Sequence, residues 1–411
     1  MLILTVPTFW LVRGKPAPQV SIVEGRVLGL PEKTYPTLKI AIDYIRQGKP
    51  EMAIALVWDL FTGGSLQKKF DGAATDQFPL RMPIIRFSKF VDRQMIKFVY
   101  SFTDDDIIPA DMMSDIYIIR KEDALIYAPS IFGESNYGII DERIINYQDM
   151  TSKYPEINFY LYFLEILEFS QANPLNQYFP EADKGQSFEY FQANLPSQIS
   201  LRTLSLENLV DHLHYFYRTD HHWNTQGILA GYDDIYQMLS ENYPNIPEKL
   251  SPTAMITFPG IEFIGTLGRQ TLYPIPGDTF TGFEAEFPSC TIFDDGVEGD
   301  YDFRDEYLAG DYSNTPYTSH YEYYFGNQTG LLEYDCDTET DRNILIIGNS
   351  FTRPLVALIA TQYKYTYFVD LRQVDDFSLS EFFIDHNVED VLITGSPNVV
   401  FLDSDLWMIN P

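Results

Sequence analysis

The stretch from residue 344 to residue 394 constrains the fold of this chain more than any other. Runs of aliphatic, aromatic and β-branched residues at 344–347, 365–369 and 391–394 alternate with helical patterns at 354–362 and 379–385. A short, nearly continuous apolar run suits a strand buried on both faces, and strands separated by helices return in the same direction. The alternation therefore predicts a mostly parallel α/β sheet flanked by helices. Ligands of such sheets sit outside the carboxyl ends of the strands, which is where Gly348-Asn349-Ser350-Phe351 falls.

The 411 residues fit one large α/β domain with insertions or two smaller domains. Upstream, 116–119, 124–127 and 157–164 read as buried strands. Asn224 is a plausible N-cap for a helix in which Ile228, Leu229, Tyr232, Ile235, Met238 and Leu239 recur at helical spacing until Asn245 and Pro247. Residues 250–340 are rich in Gly, Pro, Asp and Tyr without clear periodicity, and they are expected to form long loops and an irregular insertion. Residues 20–110 mix loops with helical patterns, including 38–46, and carry a turn-like run at 76–81. They read as the N-terminal part of a single domain over 20–411. The first 12 residues are apolar but stop at Arg13 and Lys15, too short to span a bilayer. Residues 1–19 read either as the remnant of a membrane anchor or signal, or as a simple amphipathic or core segment.

Composition narrows the partners. Apolar residues at 45% and aromatics at 15% describe a folded chain. With 59 Asp and Glu against 28 Lys and Arg, the net charge of −31 repels phosphate backbones, so nucleic acid is excluded as a natural partner. Cys290 and Cys336 leave room for one bridge but not for a disulfide scaffold or a Cys-rich zinc module.

Two clusters can do chemistry. Ser350 follows an aliphatic strand and precedes a helix, with Gly348 allowing the tight turn between them. Amides near Ser350 and Phe351, at a helix N-terminus, could stabilise a tetrahedral oxyanion, although a serine there can equally be a helix cap. The second cluster is Thr219-Asp220-His221-His222-Trp223-Asn224, in a chain with only 6 histidines. A serine hydroxyl needs a neutral imidazole to take its proton, and the imidazole needs a carboxylate to fix its tautomer. Asp220 and His222 supply both if the chain turns between them. His212, His214, Asp220 and His222 are also acceptable zinc ligands, but the run lacks a His-Glu-x-x-His pattern, so no metal and no cofactor are expected.

Both clusters together resemble the DHHW family. Asp220-His221-His222-Trp223 reproduces its naming motif, and Ser350 matches the serine of its Lys-Asp-Ser-Tyr run, with Gly348-Asn349 standing in place of Lys-Asp. Tyr321 to Asn327 is similar to its aromatic-Gly-Asn stretch, and Asp370-Leu371-Arg372 to the block after the next strand. Phe263-Ile264-Gly265-Thr266, Glu24-Gly25-Arg26 and Asp76 to Arg81 also fit. That family is similar to the alginate O-acetylation proteins with SGNH-hydrolase-like domains.

The resemblance implies an SGNH-hydrolase-like, flavodoxin-like sheet and a Ser350, His222, Asp220 triad. It implies an extracytoplasmic, membrane-anchored or cell-surface O-acetyltransferase acting on a polysaccharide, with the acetyl donor delivered by a membrane-bound acyltransferase. An acetylesterase using the same triad and a non-catalytic carbohydrate-binding or assembly protein are the alternatives. Gly348, Phe351, Trp223, Tyr324, Asn327 and Arg372 are expected to bind substrate or the oxyanion, with the aromatic residues suited to stacking on sugar rings.

Overall fold

The structure, a computed structural model, describes residues 20–21, 26–27, 44, 46, 49, 52, 81–112, 114–299, 317–326, 329–374 and 377–402. The expectations for residues 1–19, for Glu24-Gly25, for most of 38–46 and for 76–80 lie outside these residues. The chain divides into two compact units, 1–104 with 269–273, and 105–268 with 274–411. In the first, β1 (Val20–Ser21) pairs antiparallel with β2 (Arg26–Val27). Its helix α1 (Arg81–Tyr100) sends the Arg93 guanidinium to the carbonyl of Leu272 at 2.8 Å. No helix among the described residues is long and apolar enough to cross a membrane.

The second unit opens with an antiparallel meander, β3 (Ile107–Pro109), β4 (Ile116–Ile119) and β5 (Ala124–Tyr127). Then come α2 (Glu134–Lys153), β6 (Asn158–Leu164), α3 (Gln186–Asn194), β7 (Ile199–Leu204), α4 (Leu209–Tyr215) and α5 (Thr225–Asn242). Strands β8 (Ala254–Phe263) and β9 (Asp278–Glu284) form a separate antiparallel pair, followed by β10 (Cys290–Asp294), β11 (Val297–Gly299) and α6 (His320–Phe325). The chain continues as β12 (Leu331–Cys336), β13 (Asn343–Ile347), α7 (Arg353–Ala360), β14 (Tyr365–Val369), α8 (Leu379–His386) and β15 (Asp390–Gly395).

Eight strands make the main sheet in the order β11-β10-β12-β14-β13-β15-β6-β7. From β14 to β7 every neighbour is parallel; β12, β10 and β11 extend the β14 edge antiparallel. The expected α/β fold is therefore present as a mixed, largely parallel sheet. The expected irregular insertion at 250–340 is corrected: it holds the β8–β9 pair and three of the sheet's strands. Cys290 and Cys336 sit opposite one another on β10 and β12 and are bonded as a disulfide.

Side chains alternate between two cores. From β6, Tyr160, Tyr162 and Leu164 pack with Ile228, Tyr232, Ile235, Leu355 and Ile359 of α5 and α7. Phe159, Leu161 and Phe163 point the other way, into a core with Ile140, Tyr147, Phe191 and Leu379 of α2, α3 and α8. Each such buried side chain contributes roughly 1.5–3 kcal/mol relative to exposure. Burial on both faces explains why these strands are continuously apolar.

The order in the sheet also positions a crevice. From β13 the chain passes to β14 on one side and then to β15 on the other, so connections diverge at the carboxyl end of β13. Ser350 lies three residues beyond that end. The opposite end is closed by the buried Asp390 carboxylate, which accepts from Arg342 Nη2 at 2.7 Å, Asn158 Nδ2 at 2.8 Å and Tyr363 Oη at 2.9 Å.

Candidate active site

The loop carrying Asp220 and His222 is held at both ends by its own sequence. Phe216 and Trp223 form an isolated antiparallel bridge, and the Tyr217 amide donates to the His222 carbonyl at 3.2 Å. Asp278 at the start of β9 accepts from the amides of Arg218 and Thr219 at 2.8 and 2.9 Å, and from Thr219 Oγ1 at 2.6 Å. Asn224 then caps α5, its Oδ1 accepting from the amides of Gln226 and Gly227 at 2.9 and 3.1 Å. Trp223 fills the space between loop and helix, where Gly227 and Gly231 leave room for it.

Ser350 sits on the turn from β13 into α7. A Cβ at Gly348 would fall 2.1 Å from Thr352 Oγ1, so only glycine admits that approach. Thr352 Oγ1 accepts from the Asn349 amide at 3.2 Å and donates to the Thr394 carbonyl on β15 at 2.8 Å. These bonds fasten the turn to the neighbouring strand and leave the serine half-buried at the sheet edge.

The two segments meet. Ser350 Oγ lies 2.9 Å from His222 Nε2, and His222 Nδ1 lies 2.6 Å from Asp220 Oδ1. Asp220 Oδ1 also accepts from the His222 amide at 2.9 Å, while Oδ2 accepts from the Thr266 amide at 2.5 Å. Burial alone would raise the Asp220 carboxyl, but the charges of His222 and His221 and the hydrogen bonds from His222 hold it well below the usual carboxylate range. The His222 ring stacks on Tyr321, centroids 4.2 Å apart and planes at 15°. Trp223 Nε1 donates to Tyr321 Oη, which in turn donates to the Ser350 carbonyl, both at 3.2 Å. An ionised carboxylate, an imidazole and a hydroxyl in this order can move a proton off the hydroxyl and return it.

The other expected residues divide. Gly348 and Phe351 flank the serine, but the Phe351 amide donates to Asn349 Oδ1 at 3.1 Å and is not free for an oxyanion. The amide of Ser350 itself has no acceptor among the described residues. Trp223 and Tyr324 are corrected: both are buried, so neither can stack on a sugar. Tyr324 Oη is engaged by the amide and the carbonyl of Phe283, each at 3.0 Å. Arg372 lies in an ion pair, its Nε and Nη2 donating to the Asp370 carboxylate at 2.8 and 2.5 Å, with its side chain 35% exposed. Asn327 lies outside the described residues.

Sequence reasoning passed over Tyr321 as a partner of the histidine, and Thr219 and Asp278 as the loop's anchors. Asp278 is 58 residues from Asp220 and carried no motif. Arg353, three residues after Ser350, was also missed, though it lines the same cleft. Donor atoms of Asp220, His221 and His222 lie within 4.8 Å of one another. A metal there would have to displace the hydrogen bonds that both His222 ring nitrogens already make. His212 is buried against Phe216, ring centroids 4.7 Å apart, and does not join this group.

No protein-family profile matches the chain, and no curated protein matches its sequence. Solved structures do. Bacillus cereus PatB1 with a sulfonyl adduct is 17% identical with a TM-score of 0.55, covering 72% of this chain and 97% of its own. A DHHW family protein from Eubacterium siraeum is 15% identical with a TM-score of 0.52, covering 74% of this chain and 94% of its own. The O-acetyltransferase domain of Pseudomonas putida AlgJ, 11% identical and covering 73% of this chain and 94% of its own, has a TM-score of 0.38, too slight to weigh. At these identities the likeness is one of fold: this chain is built on the α/β plan of PatB1 and of a DHHW family protein.

Proposed function

We propose that the chain is a serine-dependent O-acetyltransferase that acetylates a polysaccharide outside the cytoplasm. The observation that carries this reading is the unbroken run of contacts from Ser350 Oγ through His222 to Asp220, at 2.9 and 2.6 Å. In the first step Ser350 Oγ attacks the carbonyl of an acetyl donor while its proton passes to His222 Nε2. Asp220, ionised and hydrogen-bonded to Nδ1, stabilises the imidazolium. In this reading the Ser350 amide donates to the oxyanion that forms. The bond to the leaving group breaks, the leaving group takes the proton from His222, and acetyl-Ser350 remains. A sugar hydroxyl then attacks that ester, gives its proton to His222, and departs acetylated as the proton returns to Ser350.

Three further observations support the reading. The DHHW motif falls on the residues that form this contact run, and a DHHW family protein shares the fold. Bacillus cereus PatB1, of the same fold, carries a sulfonyl adduct, and sulfonyl groups add to activated nucleophiles. The Cys290–Cys336 disulfide belongs in an oxidising compartment. The acetyl donor is taken to arrive from a separate membrane-bound acyltransferase.

The test follows acetyl from a labelled small ester. The native protein is expected to transfer it to a glycan hydroxyl and to be labelled by a sulfonyl fluoride on Ser350. Ser350→Ala is expected to do neither while remaining folded. A folded Ser350→Ala protein with full activity ends the proposal. Release of free acetate with no acetylated glycan points instead to an acetylesterase, in which water resolves the acyl-enzyme.

A further inference from the structure

A shallow cleft beside Ser350 opens to solvent, and Arg353 lines it together with Tyr321, Glu322, Gly326 and Asp370. Arg353 is 6% exposed. Among the described residues its guanidinium makes one long hydrogen bond, Nη1 to Tyr334 Oη at 3.5 Å, and its buried Nε has no partner. A buried guanidinium without a carboxylate is costly, since it cannot shed its proton. Two carboxylates line the same cleft: Asp370 is already held by Nε and Nη2 of Arg372, and Glu322 forms no ion pair with Arg353 among the described residues.

Two further features favour an anion at this place. Arg353 is the first residue of α7, so its charge lies at the positive end of a helix, where a cation is unfavourable and an anion is stabilised. Gly326 has φ +100, and a Cβ there would fall 2.5 Å from Arg353 Nη2. The backbone at 326 thus keeps open the space that the guanidinium occupies.

We propose that Arg353 is a carboxylate-binding subsite: it takes the carboxylate of a sugar unit whose hydroxyl is presented to Ser350. This rests on the acyl-transfer reading above for the role of Ser350, but the binding itself does not. The planar guanidinium matches a carboxylate through two parallel hydrogen bonds. A singly charged group balances the single unpaired cation, whereas a dianionic phosphate would leave excess negative charge beside Glu322 and the neutralised Asp370–Arg372 pair. The net charge of −31 repels anions at long range, so the preference acts at contact and persists when added salt screens that field.

The test is titration calorimetry of the native protein and of Ser350→Ala with a methyl glucuronide, its methyl ester, acetate and inorganic phosphate. The acid is expected to bind tighter than its ester by about tenfold to a hundredfold, the range of a charge-assisted hydrogen bond, and tighter than acetate or phosphate. Arg353→Met should bring the ratio of acid to ester close to one, and Arg353→Lys should keep part of it. Equal binding of acid and ester by the native protein overturns the proposal without any variant. So does a preference that survives both substitutions, or acetate or phosphate binding as tightly as the sugar acid. A fully active Ser350→Ala protein that still prefers the acid would sink the acyl-transfer reading and leave the subsite standing.

Discussion

Gly265 and Asp220 are in such close contact that no side chain fits between them: a Cβ on residue 265 would fall 2.1 Å from the Asp220 Cβ and 2.3 Å from its Oδ2. The next amide, that of Thr266, donates to the same Oδ2 at 2.5 Å. Glycine at 265 thus brings a backbone donor against the carboxylate that orients His222.

Gly265→Ala is therefore expected to displace Asp220 and lower turnover of an acetyl ester by at least about tenfold, through misplacement of the imidazole. Gly138→Ala is the control. Position 138 is exposed in α2 with nothing within 4 Å of its Cβ, and alanine there should stabilise the helix by roughly 0.5–1 kcal/mol without touching activity. Paired rate and circular dichroism measurements read both, and an unimpaired Gly265→Ala enzyme would remove the positioning argument.

The two adjacent histidines should differ sharply. His222 Nδ1 is 2.6 Å from Asp220 Oδ1, whereas His221 Nδ1 is 3.5 Å from it and the His221 side chain is 33% exposed. Asp220→Asn replaces an acceptor that fixes the tautomer by a group that can fix the wrong one, so turnover should fall on the order of ten-thousandfold. His221→Ala should cost far less. Rates on one ester for the two variants and His222→Ala decide it: a dead His221→Ala enzyme beside an active His222→Ala enzyme would reverse the assignment.

The legible and illegible parts of the sequence differ in how they are buried. Ile344 to Ile347 are buried at every position because two cores enclose β13, and an uninterrupted aliphatic run survives in the sequence. At the antiparallel edge only one side is covered. In β12, Leu332, Tyr334 and Cys336 are buried while Glu333 and Asp335 are not, and this alternation among acidic residues resembled loop. Asp220 and His222 were legible as a pair because a local turn joins them. The contacts that hold them, from Asp278, Thr266 and Tyr321, come from 44 residues away or more, where spacing carries no signal.

Two buried neutral histidines should each lower stability in mild acid, opposed by Glu168, whose carboxyl burial raises from 4.5 to about 7 so that its proton uptake favours the folded chain over the same range. Burial lowers His212 from 6.5 to about 3 and His320 from 6.5 to about 4. Below about pH 6.5 the unfolded chain takes up protons that the folded chain refuses. The histidines are thus neutral in their effect above pH 6.5, and their contribution to stability drops as pH falls from there towards 4 and 3. Between pH 7 and 5 each should cost up to about 2 kcal/mol. Denaturant unfolding at the two pH values measures this, and His212→Phe, which keeps a ring against Phe216, should be more stable at pH 5 relative to pH 7 than the native protein is, by up to about 2 kcal/mol. An unchanged pH dependence in that variant would exclude His212 as a source.

The disulfide should matter for stability more than for chemistry. Cys290 and Cys336 join β10 to β12 across a sequence separation of 46, and a loop of that length restricts the unfolded chain by about 4 kcal/mol in the chain-entropy account, with 2–4 typical in practice. The bridge lies at the antiparallel edge, with β14 between β12 and the β13 strand that leads to Ser350. Replacing both cysteines by serine is expected to lower the unfolding free energy by about 2–4 kcal/mol, while turnover in native conditions stays within about twofold. Cys336 is fully buried and Cys290 only partly so, which makes Cys290 Sγ the sulfur a reductant should attack in the native protein, and attack should quicken as denaturant opens the edge. Equilibrium unfolding of the double variant beside the native protein gives the first number and an ester assay the second. Equal stabilities would show that the edge strands hold without the bond, whereas a large loss of turnover would show that β10 and β12 shape the cleft as well as the sheet.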